Sequence, residues 1–340
     1  MASKLDELIK EVNKRFKEDV VTVGLHEYKY ERIPFTSATM NYCTFGGIPI
    51  GIVAEFYGEE HGGKTTTALD VVANFQRMFP DRKVLYCDCE NTLDVEWARK
   101  LNVDVDSLII MQPHAQSAEQ IFQFIYECVE TGEIGLVVID SLGVMVSQQE
   151  FDKSIEEKTY AGISMSLTSF SKKIEMSAKK NHCTCIGINQ IRQNINSTWG
   201  GIKTPGGQAW KHVCSLRMEF SRGKFTDERG NELTRSAETP AGNIVQVSLV
   251  KSKVCPPTRR VGRYRLNYTF GIDFIADLID VAVKLDIVVK KGAWFDVVDI
   301  ESGEVLANKI QGQANLQELL EQNNDITERV SDLVYSRISL

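Results

Sequence analysis

Residues Gly51-Ile-Val-Ala-Glu-Phe-Tyr57 lead directly into Gly58-Glu-Glu-His-Gly-Gly63-Lys64-Thr65, after which apolar residues recur at helical spacing. The second stretch fits G-x-x-x-x-G-K-[ST], and it lies after a strand and before a helix, where its chemistry requires it. Glycines let the backbone curl so that successive N–H groups and the helix N-terminus face phosphate oxygens. Lys64 is then placed to reach the β- and γ-phosphates of a nucleotide, and Thr65 to hold Mg²⁺. A mere Gly-rich turn lacks this strand-loop-helix setting.

Outward from the loop, short apolar runs alternate with helical stretches. Lys83–Cys89 precedes a helix over Val95–Leu101, Leu108–Met111 precedes Ser117–Val129, and Leu136–Asp140 precedes roughly Ala161–Lys180, with Thr184–Asn189 following. Alternation of this kind marks an α/β fold with a mostly parallel sheet flanked by helices. After Lys211 the style changes to strand on strand, Ser215–Ser221, Ile244–Lys251 and Arg263–Phe270, which predicts an antiparallel extension. Beyond Ile272 the chain reads as a helix (Phe274–Leu285), a small hairpin (Trp294–Val298, turn Glu301–Glu304) and two terminal helices, a small α+β unit. At the other end, Leu5, Leu8, Ile9, Val12 and Phe16 make one apolar helical stripe. The strand-like run Val20–Val23 after it can add to a sheet of its own chain or of a neighbour. The expected divisions are residues 1–33, an N-terminal helix and strand for protomer docking; 34–271, the core that carries the phosphate loop; and 272–340, the small C-terminal domain.

At 340 residues the chain has room for roughly two domains of about 150 residues each. With 43 % hydrophobic and 25 % charged residues it has a globular composition. Its apolar runs fall far short of the roughly 20 residues of a membrane span. The opening Met-Ala-Ser-Lys-Leu-Asp-Glu lacks a secretory pattern, so the expected location is cytoplasmic. Eight cysteines, with two Cys-x-Cys pairs and no Cys-x-x-Cys, argue against disulfide and zinc frameworks. Cys87/Cys89 and Cys183/Cys185 lie in strand-like runs and read as small core hydrophobes. The net charge of −7 excludes a uniformly basic coat, yet Lys158–Lys224 holds eleven Lys/Arg against two acids, and Lys251–Arg265 holds six cations and no acid. Two such stretches on an acidic chain suggest a polyanionic partner, although either alone reads equally as a solvated surface.

Three more positions complete a nucleotide site. Asp140 ends the buried run Leu136-Val-Val-Ile139, at the carboxyl edge where open α/β sheets bind ligands, and can orient Mg²⁺ through water; a helix-capping role is the alternative. Glu90 follows Val84–Cys89 and is placed to orient or deprotonate an attacking water. Gln190 follows Cys185–Asn189 and is placed to sense the γ-phosphate. Glu and Gln also commonly end strands as caps or solvated groups. Between Gln190 and Trp210 runs a polar stretch with five glycines and prolines, too long for an ordinary connection, and it carries Arg192, Ile195, Trp199 and Lys203. Cations with an aromatic suit a nucleic-acid backbone and its bases; a flexible lid is the alternative.

Taken together the residues resemble the RecA-family recombinases, of bacterial or bacteriophage type. Gly58–Thr66, Asp88-Cys-Glu90-Asn-Thr-Leu-Asp94, Ala98–Asp104, Val138-Ile-Asp-Ser141, Asn189-Gln-Ile-Arg192, Gly206-Gly207-Gln-Ala and Gly292-Ala-Trp294 fall in the family's order, over residues 1 to about 330. The resemblance implies a RecA-like ATPase that polymerises with ATP and Mg²⁺ on single-stranded DNA, pairs it with homologous duplex and exchanges strands. It implies nucleotide contacts from Gly58, Glu59, Glu60, His61, Gly62, Gly63, Lys64, Thr65 and Thr66. Glu90 resembles the catalytic glutamate, Gln190 the relay from γ-phosphate to DNA, and Asp94 with Trp97 the adenine contacts, Trp97 standing where tyrosine is usual. Lys251 and Lys253 resemble the pair that reaches ATP on the adjacent subunit, and Tyr268 a further contact there. Residues 148–161 resemble the first DNA loop and 192–207 the second. Arg192, Asn194, Ile195, Ser197, Trp199, Lys203, Gly206 and Gly207 are the expected DNA contacts, with Lys172 and Lys173. The implied partners are single- and double-stranded DNA, further copies in a head-to-tail helical filament, and attendant single-strand-binding and mediator proteins.

Three departures stand out. His212 replaces a usual phenylalanine between the second loop and the next subunit, Ser166 replaces a common arginine, and the second loop is about one residue short. The ending Ser-Arg-Ile-Ser-Leu carries no acidic tail, so autoinhibition by such a tail is expected to be absent. A ring-forming helicase motor, a non-hydrolysing mediator and a metabolic P-loop kinase are the competing readings. The terminal segments disfavour the first, the intact Lys64, Thr65, Glu90, Asp140 and Gln190 the second, and the two basic loops the third.

Overall fold

The structure is a computed structural model that describes residues 3–17, 20–22, 31–154, 162–193, 202–234 and 236–338, with backbone only at 192–193 and 202–203. Met1–Glu31 forms one compact unit and Arg32–Leu340 another. In the first, the helix Lys4–Phe16 starts at Ser3, whose hydroxyl accepts from the Asp6 N–H while the Asp6 carboxylate accepts from the Ser3 N–H. Its stripe residues Leu5, Leu8 and Phe16 are exposed. Val20–Thr22 is irregular rather than extended in a sheet, tied through Val21 to the Asn13 amide, and Val23 lies outside the described residues.

The second unit is built on a nine-stranded sheet. From one edge the order is Gly271–Ile272, Val261–Asn267, Gly242–Ser252, Leu216–Thr226, Val53–Gly58, Thr184–Gln190, Ile134–Asp140, Lys83–Asp88 and Ile109–Met111. The last six run parallel, and the first three extend them antiparallel. Leu216–Thr226, expected with the antiparallel set, is the seam: parallel to Val53–Gly58 and antiparallel to Gly242–Ser252. Strands covered on both faces read as continuous apolar runs, and all seven residues of Ile134–Asp140 are buried.

Alternation along each strand divides two cores. Ala54, Phe56, Ile186 and Ile188 pack with the helix Lys64–Met78, whereas Val53, Cys185, Phe170 and Trp210 pack on the other face with the helices Ser164–Lys180 and Gly207–Val213. Cys87, Cys183 and Cys185 are core residues as expected; Cys89, just past a strand end, is only half-buried.

The chain after Ile272 forms the helix Phe274–Lys284, the strands Val288–Lys291, Trp294–Val298 and Val305–Gln311 in one antiparallel sheet, and the helices Gln313–Gln322 and Asn324–Ile338. The sequence hairpin is thus a three-stranded sheet; the exposed charges Lys290 and Lys291 mask its first strand. Polar contacts, among them a bond from Asn41 Nδ2 to Tyr335 OH at 3.3 Å, tie this part to the helix Ala38–Thr44 and its cap. Asp277 accepts from Ser37 Oγ at 2.5 Å and Thr39 N at 3.0 Å, and the Arg259 guanidinium lies 4.2 Å from the Tyr42 ring centroid while donating to Ile338 O. Among the described residues no helix is long and apolar enough to cross a membrane.

Candidate functional site

The phosphate loop is shaped by positions that admit only glycine. A Cβ on Gly58 would lie 1.9 Å from Phe220 O on the neighbouring strand, and one on Gly63, at φ +90°, 2.9 Å from Val245 Cγ2. Gly63 begins the helix Lys64–Met78 with no side chain to cap it, which leaves the first-turn N–H groups for an anion. Lys64 is buried, with Nζ donating to Gly58 O at 3.1 Å and Glu59 O at 2.6 Å. Burial pushes its pKa down, against Asp140, Glu90, Glu60 and Glu59, which pull it up.

Thr65 Oγ1 donates to Asp140 Oδ2 at 2.8 Å, and Tyr86 OH donates to the same oxygen at 2.9 Å. Burial raises the Asp140 pKa, the two hydroxyls lower it, and Glu90 and Asp88 raise it further. One hydroxyl and one carboxylate, both hard oxygens beside a phosphate cradle, fit Mg²⁺, which keeps most of its own waters.

Parallel register brings the other strand ends to the same edge, since Gly58 pairs with Gln190 and Asp88 with Asp140. Glu90 Oε1 accepts from Ser141 Oγ at 2.5 Å and from Gln190 Nε2 at 3.3 Å. Asp88 is structural: it accepts from Thr92 N, Leu93 N and Gln112 Nε2, closing the turn that aims Glu90. Asp94 caps the helix Val95–Lys100 through Trp97 N, and Trp97 Nε1 donates to Thr66 Oγ1 at 3.2 Å, so Trp97 sits against the phosphate-loop helix.

Lys251, Lys253 and Tyr268 make their hydrogen bonds elsewhere. Lys251 Nζ donates to Lys211 O at 2.5 Å and His212 O at 2.9 Å, and Lys253 Nζ to His212 O at 2.9 Å, so both cations cap the helix Gly207–Val213. Tyr268 OH donates to Asn243 Oδ1 at 2.9 Å and its ring is part-exposed.

The family models of the RecA N-terminal domain and the RecA C-terminal domain match residues 3–273 and 276–339. The chain belongs to the RecA family. Protein RecA of Clostridioides difficile is 34 % identical over 291 residues, 85 % of this chain and 78 % of that protein. Protein RecA of Ruminococcus albus is 33 % identical over 306 residues, covering 89 % and 72 %, and that of Bacillus pumilus 30 % over 341 residues, covering 99 % and 92 %. This RecA-family chain is a recombination and repair protein of a nucleotide-binding, DNA-binding and self-associating family.

Of the DNA contacts expected for a RecA-family protein, Asn194, Ile195, Ser197 and Trp199 lie outside the described residues, as do 155–161 of the first loop. Gln148–Phe151, at that loop's start, is a helical turn capped by Ser147. Arg192 pairs with Lys203 and Gln193 with Ile202, so the second loop leaves and returns through a short antiparallel base where the sequence had suggested no regular element. Gly206 and Gly207 follow with φ of 98° and 76°, and a Cβ on Gly206 would meet Leu167 Cδ2 at 2.3 Å. Lys172 and Lys173 are exposed on the helix Ser164–Lys180, with Lys173 Nζ 5.3 Å from the centroid of the Tyr126 ring.

Sequence reading missed the Ser141 and Tyr86 hydroxyls and a buried cluster of Glu55, Arg217 and Asn189. Its signal was available: Glu55 is a lone acid in the buried run Val53–Gly58.

Proposed function

We propose that this chain binds ATP with Mg²⁺, assembles as a head-to-tail helical filament on single-stranded DNA, and hydrolyses ATP in a DNA-dependent manner while exchanging that strand into homologous duplex in the cytoplasm. One contact carries the reading: Glu90 Oε1 accepts from both Ser141 Oγ and Gln190 Nε2. Ser141 holds the carboxylate so that its second oxygen is available to orient and deprotonate a water, the role of a general base. Gln190 gives up its bond to Glu90 when its amide engages a γ-phosphate, which joins nucleotide state to the second DNA loop two residues on. Lys64 and the loop N–H groups hold the phosphates, and Asp94 and Trp97 border the base. Thr65 and, through water, Asp140 would hold Mg²⁺, which would supply positive charge to the phosphates.

Lys251, Lys253 and Tyr268, engaged away from their own phosphate loop, serve the ATP of the next subunit. A heterologous interface with ATP in it propagates as an open helix and tightens or loosens with nucleotide state. Residues 1–33 dock protomers, 34–271 form the motor and 272–340 a small C-terminal domain; single-strand-binding and mediator proteins attend the filament.

The test is ATP turnover with and without single-stranded DNA, on wild type beside Glu90→Gln and Trp199→Ala. DNA is expected to stimulate wild type strongly. Glu90→Gln abolishes turnover while filaments still form by electron microscopy, and Trp199→Ala loses the stimulation. Turnover indifferent to DNA, or rings in place of filaments, overturns the proposal.

A further inference from the structure

The strand Thr184–Gln190 ends in two polar residues with different partners. Gln190 reaches Glu90, whereas the fully buried Asn189 sends Nδ2 to Glu55 Oε1 at 3.0 Å and to Pro205 O at 3.1 Å. Both partners are acceptors, which sets the amide with its nitrogen toward them. Pro205 lies two residues past the paired base of the second loop and directly before the left-handed Gly206 and Gly207. Glu55 is itself pinned: its Oε2 accepts from Arg217 Nε at 2.5 Å, and the Arg217 guanidinium stands 4.7 Å from the Tyr57 ring centroid. An ion pair this buried adds little net stability, because desolvation offsets the attraction, but it does fix a position. On its other side Asn189 Oδ1 is buried with no hydrogen-bond partner, 3.4 Å from where a Cβ on Gly143 would stand. Gly143 lies in the turn Leu142–Val144 that leads from Asp140 and Ser141 toward the first loop.

We propose that Glu55, Arg217 and Asn189 are positioning residues that clamp the end of the second DNA loop to the strand carrying Gln190, so that DNA seated in the loop changes turnover at Glu90. All three act through the loop end at Pro205 and the strand carrying Gln190 rather than on nucleotide or DNA directly. The proposal rests on the reading that Gln190 joins the two sites, and it supplies that link with a mechanical anchor. Without the clamp the loop binds DNA and the phosphate loop binds ATP, but the two events no longer inform each other.

The experiment compares full-length wild type with Asn189→Ala, Glu55→Gln and Arg217→Lys. It measures ATP turnover against ATP and against single-stranded DNA, anisotropy of a labelled oligonucleotide, and thermal unfolding. For Asn189→Ala the DNA-stimulated kcat falls about tenfold, while KM for ATP, the half-saturating DNA concentration and DNA-free turnover stay within about threefold of wild type. Glu55→Gln keeps an amide oxygen for Asn189 and retains more stimulation than Asn189→Ala. A folded Asn189→Ala stimulated to within about twofold of wild type overturns the inference, as does DNA affinity that falls in step with kcat. If Asn189→Ala does not fold, Arg217→Lys decides, with a stimulated kcat about threefold down at unchanged DNA affinity expected and an unchanged kcat refuting. A wild type that DNA does not stimulate brings down the functional reading and this inference together; a stimulated wild type beside fully stimulated variants brings down this inference alone.

Discussion

Replacing Asp277 by asparagine should stabilise this protein at neutral pH and leave it little changed in acid. Asp277 is fully buried on the helix Phe274–Lys284, and its Oδ2 accepts from Ser37 Oγ and Thr39 N, whereas its Oδ1 and the nearby Thr39 Oγ1 are both buried without partners. Burial pushes its pKa from 3.8 up to about 6, against the lowering effect of Ser37 and Thr39. A rise of about two units corresponds to about 3 kcal/mol. The native state binds the proton more tightly than the unfolded chain, so the unfolding free energy falls as pH rises from about 4 to about 6, and above that the whole penalty is in place. The amide carries no charge to desolvate, keeps an oxygen for Ser37 and Thr39 N, and offers Thr39 Oγ1 a donor. Allowing for the loss of charge-assisted bonds, Asp277→Asn gains about 1–3 kcal/mol at pH 7.5 and close to nothing at pH 4.5. Urea unfolding followed by tryptophan fluorescence across that range measures the difference, which isolates Asp277 from Asp70, another buried carboxyl raised to about 6. A variant less stable than wild type at pH 7.5, or a difference that does not change with pH, refutes the reasoning.

Two further outcomes follow from the site. Gly58→Ala places a Cβ 1.9 Å from Phe220 O, so the seam between the strands Val53–Gly58 and Leu216–Thr226 must open; denaturant unfolding should show a loss of about 3 kcal/mol or more, and a loss under about 1 would contradict the packing described. Lys251→Ala removes the bonds to Lys211 O and His212 O, of which His212 O keeps its bond from Lys253, so stability should fall by no more than about 2 kcal/mol. Filament length and DNA-stimulated turnover should both drop in that variant, and normal stimulated turnover counts against a role across the subunit junction.

The phosphate loop was legible because its chemistry is local: Gly58, Gly63, Lys64 and Thr65 are neighbours in sequence and in space. Asp140, Glu90 and Gln190 were legible for a different reason. Each ends an apolar run, and parallel strands of one sheet bring such ends to one edge whatever their order. What stayed hidden are pairings between strands. Arg217 and Glu55 are 162 residues apart and Asn189 and Glu55 134 apart, and no periodicity within a run says which neighbour a side chain will meet. The base of the second loop was hidden likewise, since its Gly- and Pro-rich composition describes the interior while the pairing of Arg192 with Lys203 is a property of its ends.

Consecutive residues on a strand point to opposite faces. Asn189 lies on the face of Glu55 and Arg217, where the second loop returns, and Gln190 turns the other way toward Glu90. In the proposed reading, DNA and nucleotide are connected through two adjacent polar residues at the end of one central strand, the first of them held by Glu55 and Arg217. The rest of the strand is buried from Thr184 to Asn189, and such packing transmits strain, which is what the proposed coupling of one face to the other requires.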